Sequence, residues 1–377
     1  MTAPAAEQAR EVQEELRRTV RRLLEERAPE SRVRELMGTQ PGHDPALWRE
    51  LADLGLLGLA IPEELGGAGC GFGEVAVVLE EAGRALLCAP LLASAVLATT
   101  ALLAGGDDAA QRDLLPRIAD GSTIATLAVT EADEQPDPAA LVRAVRDGDG
   151  WRLTGARSYV VDAAAADLIL VAASTDDGLT LFAVETADPA VTVRPLPTLD
   201  QTRRLGDVTL RSAPARLAGR PGDALGAVRA ALAHGAVAVA VESVGAAARA
   251  LELAVAHAKV RHQFGRPIGS FQAVKHRCAD MLLDVESARS AAYRGVEDAT
   301  AAGPAGSPEL RAAAAVAKSW CSEAFVRVAA ATIQLHGGVG FTWEHPAHLY
   351  YKRAVGNAQL LGSPVFHRAR LAEQLGV

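Results

Sequence analysis

Residues 261–272 read RHQFGRPIGSFQ and separate two long helical patterns of the chain. Gly265 favours the end of the first helix, and Pro267 prevents that helix from resuming. Ser270 is typical of the cap of a following helix. These three residue types predict a sharp break between two helices, but they do not account for the polar side chains around it.

The polar side chains of this break indicate an anionic ligand. Arg261, Gln263 and Gln272 cluster around it, and a guanidinium at a helix end offers a rigid fork for a phosphate. A second segment, residues 334–341, reads QLHGGVGF and carries three glycines in four residues. One glycine would suffice to end a helix, whereas three let another chain or a nucleotide approach the backbone. Neither segment follows a strand with dinucleotide-fold spacing, so a Rossmann unit is not predicted.

The sequence on both sides of the break predicts a C-terminal helical bundle. Alanine- and valine-rich helices are expected over residues 223–261 and 270–301, and a third over 307–335. Ser307, Pro308 and Glu309 are typical of a cap, a first-position proline and an acidic first turn. A last helix is expected after Phe366, which together gives a four-helix-bundle pattern.

Upstream of residue 221 the pattern changes twice. Amphipathic and apolar helices are predicted from the N-terminus to about residue 120, and short apolar runs alternate with turn signals from Thr123 onward. The DGDG sequence at residues 147–150 predicts a hairpin turn. The predicted class is α+β and mostly α, with an N-terminal α-helical domain (1–122), a middle antiparallel β-barrel (123–220) and a C-terminal four-helix bundle (221–377).

Composition excludes several classes of protein. The 377 residues carry a formal net charge of −8 and no basic block, which argues against nucleic acid binding. The four cysteines form no CxxC pair, so neither a metal site nor a disulfide framework is predicted, and reduced cytoplasmic thiols are expected. Residues 85–106 are uncharged and long enough to cross a bilayer. Pro90 and three hydroxyl side chains in this run favour a buried helix over a membrane span.

Two motifs carry a family resemblance. The pattern RxQFGxPIxxFQ at 261–272 resembles the acyl-CoA dehydrogenase signature, and QxxGGxGF at 334–341 resembles a second segment of that family, in the same order. The similarity extends from about Trp48 to Leu371 and includes the VTE sequence at 129–131. The segment WEHPAHLYYKRA at 343–354 is similar to the actinobacterial branch, which includes subunits of mixed complexes.

The resemblance implies an FAD enzyme of three domains that assembles as a dimer of dimers, homomeric or heteromeric, with each flavin between subunits. It implies an acyl thioester substrate, carried by CoA or a carrier protein, and an electron-transfer flavoprotein as partner. By motif, Val129 and Thr130 would contact the flavin ring edge, and Tyr159 would replace the usual Trp against the ring. Gln334 and Gly338 would close over the neighbouring subunit's nucleotide. The residues expected to reach the ADP half of that FAD are Arg261, Gln263, Phe264, Ile268 and Gln272.

The catalytic base is where this sequence departs from the family. Dehydrogenation removes the proton α to the thioester and a hydride from the β carbon, so a carboxylate must take the proton. The usual glutamate position aligns with Leu361, and a second family position aligns with Gly235. Glu242 lies two helical turns after Gly235, in an apolar run where its pKa could be raised. We therefore expect Glu242 as the candidate base, with pairing to an arginine as the alternative.

The flavin-ring pattern departs as well. The family pattern TExxAGSD reads TEADEQPD at residues 130–137, and Val161 replaces a threonine that commonly follows the ring-stacking Trp. Three interpretations remain open. The chain is a dehydrogenase with a relocated base, a non-catalytic subunit of a mixed complex, or a flavin enzyme of the same fold acting on a carrier-protein thioester or as a monooxygenase.

Overall fold

The computed structural model describes residues 3–105, 107–134 and 142–376. The N-terminal part is helical, and two of its helices begin at a capping aspartate. The Asp44 carboxylate accepts the Ala46 amide proton at 2.9 Å, and Asp107 accepts that of Ala109 at 2.9 Å. The N-terminal α-helices are α1 (Ala3–Arg27), α2 (Glu30–Met37), α3 (Pro45–Asp53), α4 (Phe72–Ala85), α5 (Thr99–Gly105) and α6 (Asp108–Ala119).

The uncharged stretch that begins at Ala85 lies inside the protein, as predicted. A π-helical segment, Leu92–Ala98, leads directly into α5, and all of its residues are buried. The Thr99 hydroxyl donates to the Ser94 carbonyl oxygen at 2.8 Å, five residues back, which suits the wider π turn. The sequence predicted a helix here but not its π geometry.

The middle of the chain forms a closed sheet. β4 pairs with β5, β5 with β7, β7 with β3, β3 with β2, and β2 returns to β4, while β1 adds to β4 and β6 to β7. The β1–β4 and β2–β4 pairings are parallel, which corrects the fully antiparallel barrel predicted from the sequence. The strands are β1 (Ala125–Ala128), β2 (Val142–Asp147), β3 (Gly150–Val161), β4 (Leu168–Thr175), β5 (Gly178–Glu185), β6 (Val191–Pro195) and β7 (Leu205–Leu217).

The DGDG turn predicted at residues 147–150 is confirmed. Asp147 and Gly150 are cross-strand partners of the β2–β3 hairpin. Gly148 has a φ of 59°, which a residue without a Cβ adopts readily. The turn starts the long strand β3, and the end of this strand carries Tyr159.

The C-terminal part contains three long helices and two shorter ones. The Ser307 hydroxyl accepts the Leu310 amide proton at 3.1 Å, which confirms the predicted cap of α9. The sequence prediction of four helices omitted α10, which follows the aromatic segment 343–346. The helices are α7 (Ala224–Val260), α8 (Gln272–Ala302), α9 (Pro308–His336), α10 (Ala347–Gln359) and α11 (Pro364–Leu375).

α7 is the central helix of the protein. By length and composition it could cross a membrane, but 83% of its most apolar window is buried within the chain, as in the core helix of a soluble protein. It crosses α4 at very short range, because a Cβ on Gly245 would lie 1.9 Å from the Glu80 carbonyl oxygen. A Cβ on Gly83 would likewise lie 2.1 Å from the Glu242 carbonyl oxygen. The two glycines therefore set the position of α7 beside α4.

The changes of secondary structure agree with the architecture predicted from the sequence. Helices give way to strands between Ala119 and Ala125, and strands give way to helices between Leu217 and Ala224. The helical front, β-barrel middle and helical back are thus confirmed. The domain limits at 122/123 and 220/221 stay predictions.

Candidate functional site

The break at residues 261–272 is a small projecting hairpin, which we call the nucleotide arm after the ligand that the sequence predicts for it. Strand β8 (His262–Gln263) pairs with β9 (Arg266–Pro267), and the turn between them has positive φ at Phe264 (51°) and Gly265 (77°). The Ile268 amide donates to the Arg261 carbonyl oxygen at 2.7 Å and closes the base of the hairpin. The Phe264 side chain at the tip is 91% exposed.

The polar residues of the arm face outward. Arg261, Gln263 and Gln272 are exposed, and Ile268 is half-buried. The Arg266 guanidinium lies 4.2 Å from the centre of the Phe271 ring, which stiffens the second half of the hairpin. The side chains of Arg261, Gln263 and Gln272 are therefore accessible to a group outside this chain.

The glycine-rich segment after α9, residues 337–341, forms a 3-10 turn that we call the glycine loop. Gln334 and Gly338 are exposed, and a Cβ on Gly338 would have no atom within 4 Å, so the backbone is open to a ligand. The structure brings this loop beside the arm. His257, one turn before the arm, and His336, at the end of α9, have ring centroids 4.4 Å apart.

The predicted ring-contacting residues lie in a different place. Val129, Thr130 and Tyr159 line one cleft of about 570 Å³, and Leu361 lines the same cleft. Tyr159 is 64% exposed and has a φ of 59°. Among the described residues that line the cleft, none belongs to the nucleotide arm. The residues predicted to contact the ring and those predicted to contact the ADP half thus lie in two separate places, the cleft and the arm, which we call the two half-sites.

The backbone donor at the predicted ring edge is already satisfied. The Thr130 amide donates to the Asp133 carboxylate at 2.8 Å. That carboxylate is buried and lies 3.4 Å from the Arg157 guanidinium. A flavin edge at Thr130 would therefore compete with a charge-paired side chain of the chain itself. Asp133 was not singled out from the sequence, although it lies within the TEADEQPD segment, which differs from the family pattern TExxAGSD.

Gly235 and Leu361, the two positions where the sequence resemblance predicts the family's base, face each other. A Cβ on Gly235 would lie 2.8 Å from Leu361 Cδ1 and 2.6 Å from Leu97 Cδ2. The space beside Gly235 is therefore filled by two leucines and does not remain open for a bulky acyl group. Leu361 has a φ of 55°, and its carbonyl oxygen accepts a hydrogen bond from His367 Nε2 at 2.9 Å. The apolar contact thus occupies the place where proton abstraction is expected.

Glu242 does not have the raised pKa expected from its apolar neighbours. Its side chain is buried, but one carboxylate oxygen bonds to Arg203 and the other to Arg353. Burial alone would raise the pKa of Glu242, and the two guanidiniums outweigh burial and lower the pKa below its ordinary value. The raised pKa is thus a wrong expectation, and the alternative of an arginine partner is confirmed.

Arg353 organises a buried polar network behind the cleft. Its guanidinium donates to Asp200 Oδ2 at 2.7 Å and to the Thr202 hydroxyl at 2.6 Å, in addition to Glu242. Asp162, at the end of β3, lies beside this network, and burial raises its pKa to about 7. The partners lie far apart in the sequence, so local spacing gives no signal for the network.

Comparison with known proteins agrees with this architecture. The acyl-CoA dehydrogenase N-terminal domain matches residues 10–122, and the acyl-CoA dehydrogenase C-terminal domain matches residues 224–376. Acyl-CoA dehydrogenase IpdE2 of Mycolicibacterium smegmatis is 38% identical over 97% of this chain and 99% of its own length. IpdE2 of Mycobacterium tuberculosis is 40% identical over 93% of this chain and 92% of its own.

A solved structure of a complex shows the same fold. A chain of the ChsE4-ChsE5 complex from Mycobacterium tuberculosis superposes with a TM-score of 0.84 and 34% identity, covering 97% of each chain. Matches of this extent cover the helical front, the barrel and the helical back together. This chain therefore belongs to the acyl-CoA dehydrogenase family of flavin-dependent oxidoreductases.

Proposed function

We propose that this protein takes part in FAD-dependent α,β-dehydrogenation of an acyl thioester as the non-catalytic subunit of a mixed complex. A family member that carries the glutamate base would supply the reacting pocket. The observation that carries the proposal is the contact between Leu361 and the Gly235 position, which leaves both family base positions apolar. A leucine and a glycine have no group that takes a proton.

The carboxylates near the cleft are engaged elsewhere. Asp200 lines the cleft, but Oδ2 accepts from Arg353 at 2.7 Å and Oδ1 accepts from the Thr202 hydroxyl at 2.5 Å and amide at 3.0 Å. Glu242 is held by two guanidiniums and has a lowered pKa. A carboxylate in this state is a weaker base than a free one, and moving Glu242 would break its ion pairs with Arg203 and Arg353.

The nucleotide arm supports a role in holding FAD. Its exposed Arg261, Gln263 and Gln272 would bind the ADP half of a flavin whose ring lies in a partner, and Gln334 and Gly338 would cover the same nucleotide. Bound FAD would supply the hydride acceptor for the reaction. The cleft of this chain is less suited to the ring, because Asp133 already accepts from the Thr130 amide.

The proposed assembly follows from these two half-sites. A partner of the same family would place its flavin ring in its own cleft and the ADP end on this chain's arm. The ChsE4-ChsE5 structure is that of a complex, which agrees with such an arrangement. The thioester would be carried by CoA or by a carrier protein, and an electron-transfer flavoprotein would collect the electrons in the cytoplasm.

Co-expression tests the proposal. The chain is purified alone and together with a glutamate-bearing family member, and thioester oxidation is followed with an artificial electron acceptor. We expect turnover from the mixed assembly and none above background from the chain alone. Turnover by the homomer at the rate of the mixed assembly would contradict the proposal and favour a relocated base. Oxygen consumption that depends on the substrate would indicate a monooxygenase instead.

A further inference from the structure

Three histidine rings form a continuous stack at the base of the nucleotide arm and the glycine loop. The ring centroids of His257 and His336 lie 4.4 Å apart, and those of His336 and His345 lie 4.1 Å apart. The ring planes of the two pairs are inclined to each other by 36° and 44°. Among the described residues, no group of three or more side chains could hold a metal ion.

Each histidine of the stack lies next to the nucleotide arm or the glycine loop in the sequence. His257 precedes the arm, His336 precedes the loop, and His345 follows the loop. His257 is in the last turn of α7, and its carbonyl oxygen accepts the Arg261 amide proton at 2.9 Å. His336 ends α9 directly before the glycine loop, and its Nδ1 lies 2.7 Å from the Thr332 carbonyl oxygen. His345 follows the loop, and its Nδ1 accepts the Ala347 amide proton at 3.2 Å.

The glycine loop folds back onto this stack. A Cβ on Gly340 would lie 2.8 Å from the His336 Cβ, so only a glycine fits there. The Thr342 amide and hydroxyl both bond to the Val339 carbonyl oxygen, at 3.1 and 2.8 Å, which fixes the loop's exit. A displacement of the His336 ring would therefore be transmitted to the loop backbone.

We propose that His257, His336 and His345 position the nucleotide arm against the glycine loop, and that they do so only while the His257 and His345 rings are uncharged. The inference rests on the proposed function, in which these two segments hold the ADP half of a flavin. The three histidines act through the arm and the loop and are positioning residues. Acidification would charge the stack, separate the rings and loosen both segments.

The groups around the stack act mostly against its protonation. His336 and Arg261 act on His257 in this way, and the neighbouring His336, His257 and His348 act on His345. Glu30 of α2 acts on His345 with the opposite sign, and it is itself paired with Arg34 at 2.7 Å. Lys352 and Arg34 act on His348, which lies beside His345, and lower the pKa of His348.

The expected pH dependence follows from the direction of the shifts. Burial, reinforced by His336, lowers the pKa of His345 to about 4, and burial with His336 and Arg261 lowers the pKa of His257. A lowered pKa in the closed form means that the stack contributes stability above the ordinary histidine pKa of about 6.5. That contribution is lost as the pH falls from about 6.5 towards 4.

Amide hydrogen exchange tests the stack without requiring flavin. Protection of the Ile268, Phe271 and Thr342 amides is measured in the full chain between pH 7.5 and 5 and corrected for intrinsic exchange. We expect protection in the native chain to fall about tenfold over this range, the effect of a shift of about one pKa unit. His257→Phe keeps a ring in the stack and removes one titrating group, so it should flatten the profile. If His257→Phe folds poorly, His345→Phe is measured in its place, and it should also flatten the pH profile of protection.

The matched control is His276→Phe, an exposed histidine of α8, which should keep the native pH profile. A native profile that is flat, or one that stays steep in both stack variants, would overturn the proposal. ADP binding to the full chain is titrated at pH 7.5 in parallel. Failure of ADP to bind at that pH would count against the proposed function, whereas the exchange profile decides the role of the stack alone.

Discussion

Glu242 lies on an apolar helix, yet Arg203 from the loop before β7 and Arg353 from α10 reach its two carboxylate oxygens. Both guanidiniums interact more favourably with an ionised carboxylate than with a protonated one. They therefore lower the pKa of Glu242 although burial alone would raise it. The residue therefore joins the barrel side of the cleft to the helical bundle. Its buried position gives it a larger effect on stability than on proton transfer.

Replacement of this carboxylate distinguishes the two roles. Glu242→Gln should lower the free energy of unfolding by about 3 kcal/mol, because the buried Arg353 and the half-buried Arg203 lose their shared anionic partner. Turnover of the folded mixed assembly should change by less than about tenfold, since no proton is transferred to this group. Denaturant unfolding and turnover are measured together, with the exposed Glu297→Gln as control. Native stability with a loss of turnover of about 100-fold or more would identify Glu242 as the base.

The raised pKa of Asp162 predicts that the free energy of unfolding depends on pH. Burial raises its pKa to about 7, above the ordinary value of 3.8. The folded form then holds a proton that the unfolded form releases, so this contribution to stability is complete below about pH 4 and is lost as the pH rises through 7. We expect Asp162→Asn to reduce the fall in unfolding free energy between pH 5 and 7, measured by denaturant titration. The exposed Asp176→Asn should leave that slope as it is, and an unchanged slope in Asp162→Asn would refute the assignment.

At the scale of elements, the nucleotide arm is defined by its hairpin turn. Positive φ at Phe264 and Gly265 reverses the chain, and the Ile268 amide returns to the Arg261 carbonyl oxygen. This geometry holds the Arg261 backbone at the end of α7, and its side chain is exposed. The arm is therefore a rigid carrier of a cation.

Removal of that cation should weaken flavin retention. Arg261→Ala in the mixed assembly should lower FAD affinity about tenfold or more, since a charge-assisted hydrogen bond contributes about 1.5–3 kcal/mol. Flavin occupancy after serial dilution is the measurement, read from the visible spectrum. Lys259→Ala removes an exposed cation from the last turn of α7 and should retain FAD. Equal retention in both variants would rule out the phosphate contact.

A second prediction at the scale of elements concerns how the close crossing of α4 and α7 affects stability. Gly245→Ala would place a Cβ 1.9 Å from the Glu80 carbonyl oxygen, so the helices must move apart. We expect the free energy of unfolding to fall by about 3 kcal/mol or more, the upper range of overpacking. Gly226→Ala, on the same helix with no atom within 4 Å of the added Cβ, should be neutral or slightly stabilising. Similar stability of the two variants in thermal unfolding would disprove the close crossing.

For the whole molecule, the sequence predicted what depends on local patterns. The cap at Ser307, the DGDG turn and the break at 261–272 were visible in short segments, and the structure has each of them. The cap expected at Ser270 is wrong, because Phe271 directly precedes α8 and no side chain caps that helix. Parallel pairing of β1 with β4 could not be predicted, because hydrophobic alternation is the same for either strand direction.

The candidate site was predictable only in part, for the same reason. The arm and the glycine loop are contiguous motifs, so their residues could be named from the sequence. Arg203 and Arg353 meet Glu242 from 39 and 111 residues away, and no spacing rule connects such partners. The contact of Leu361 with the Gly235 position likewise depends on how three segments pack together.

In the proposed mixed complex, the two half-sites would determine the flavin content of the whole assembly. The arm of this chain would serve a flavin whose ring lies in the partner, while its own cleft has Asp133 on the Thr130 amide and Leu361 at the base position. Each pair of unlike chains would then complete one flavin site. The flavin content per chain therefore reports directly on which half-sites are complete.

The most direct measurement is the flavin-to-chain ratio of the purified mixed assembly, with molar mass determined by light scattering and flavin by absorbance after denaturation. We expect about one FAD for every two chains, because each unlike pair completes one site. We also expect the chain purified alone to hold almost none. One FAD per chain in a homomer that oxidises a thioester would contradict the proposed non-catalytic role.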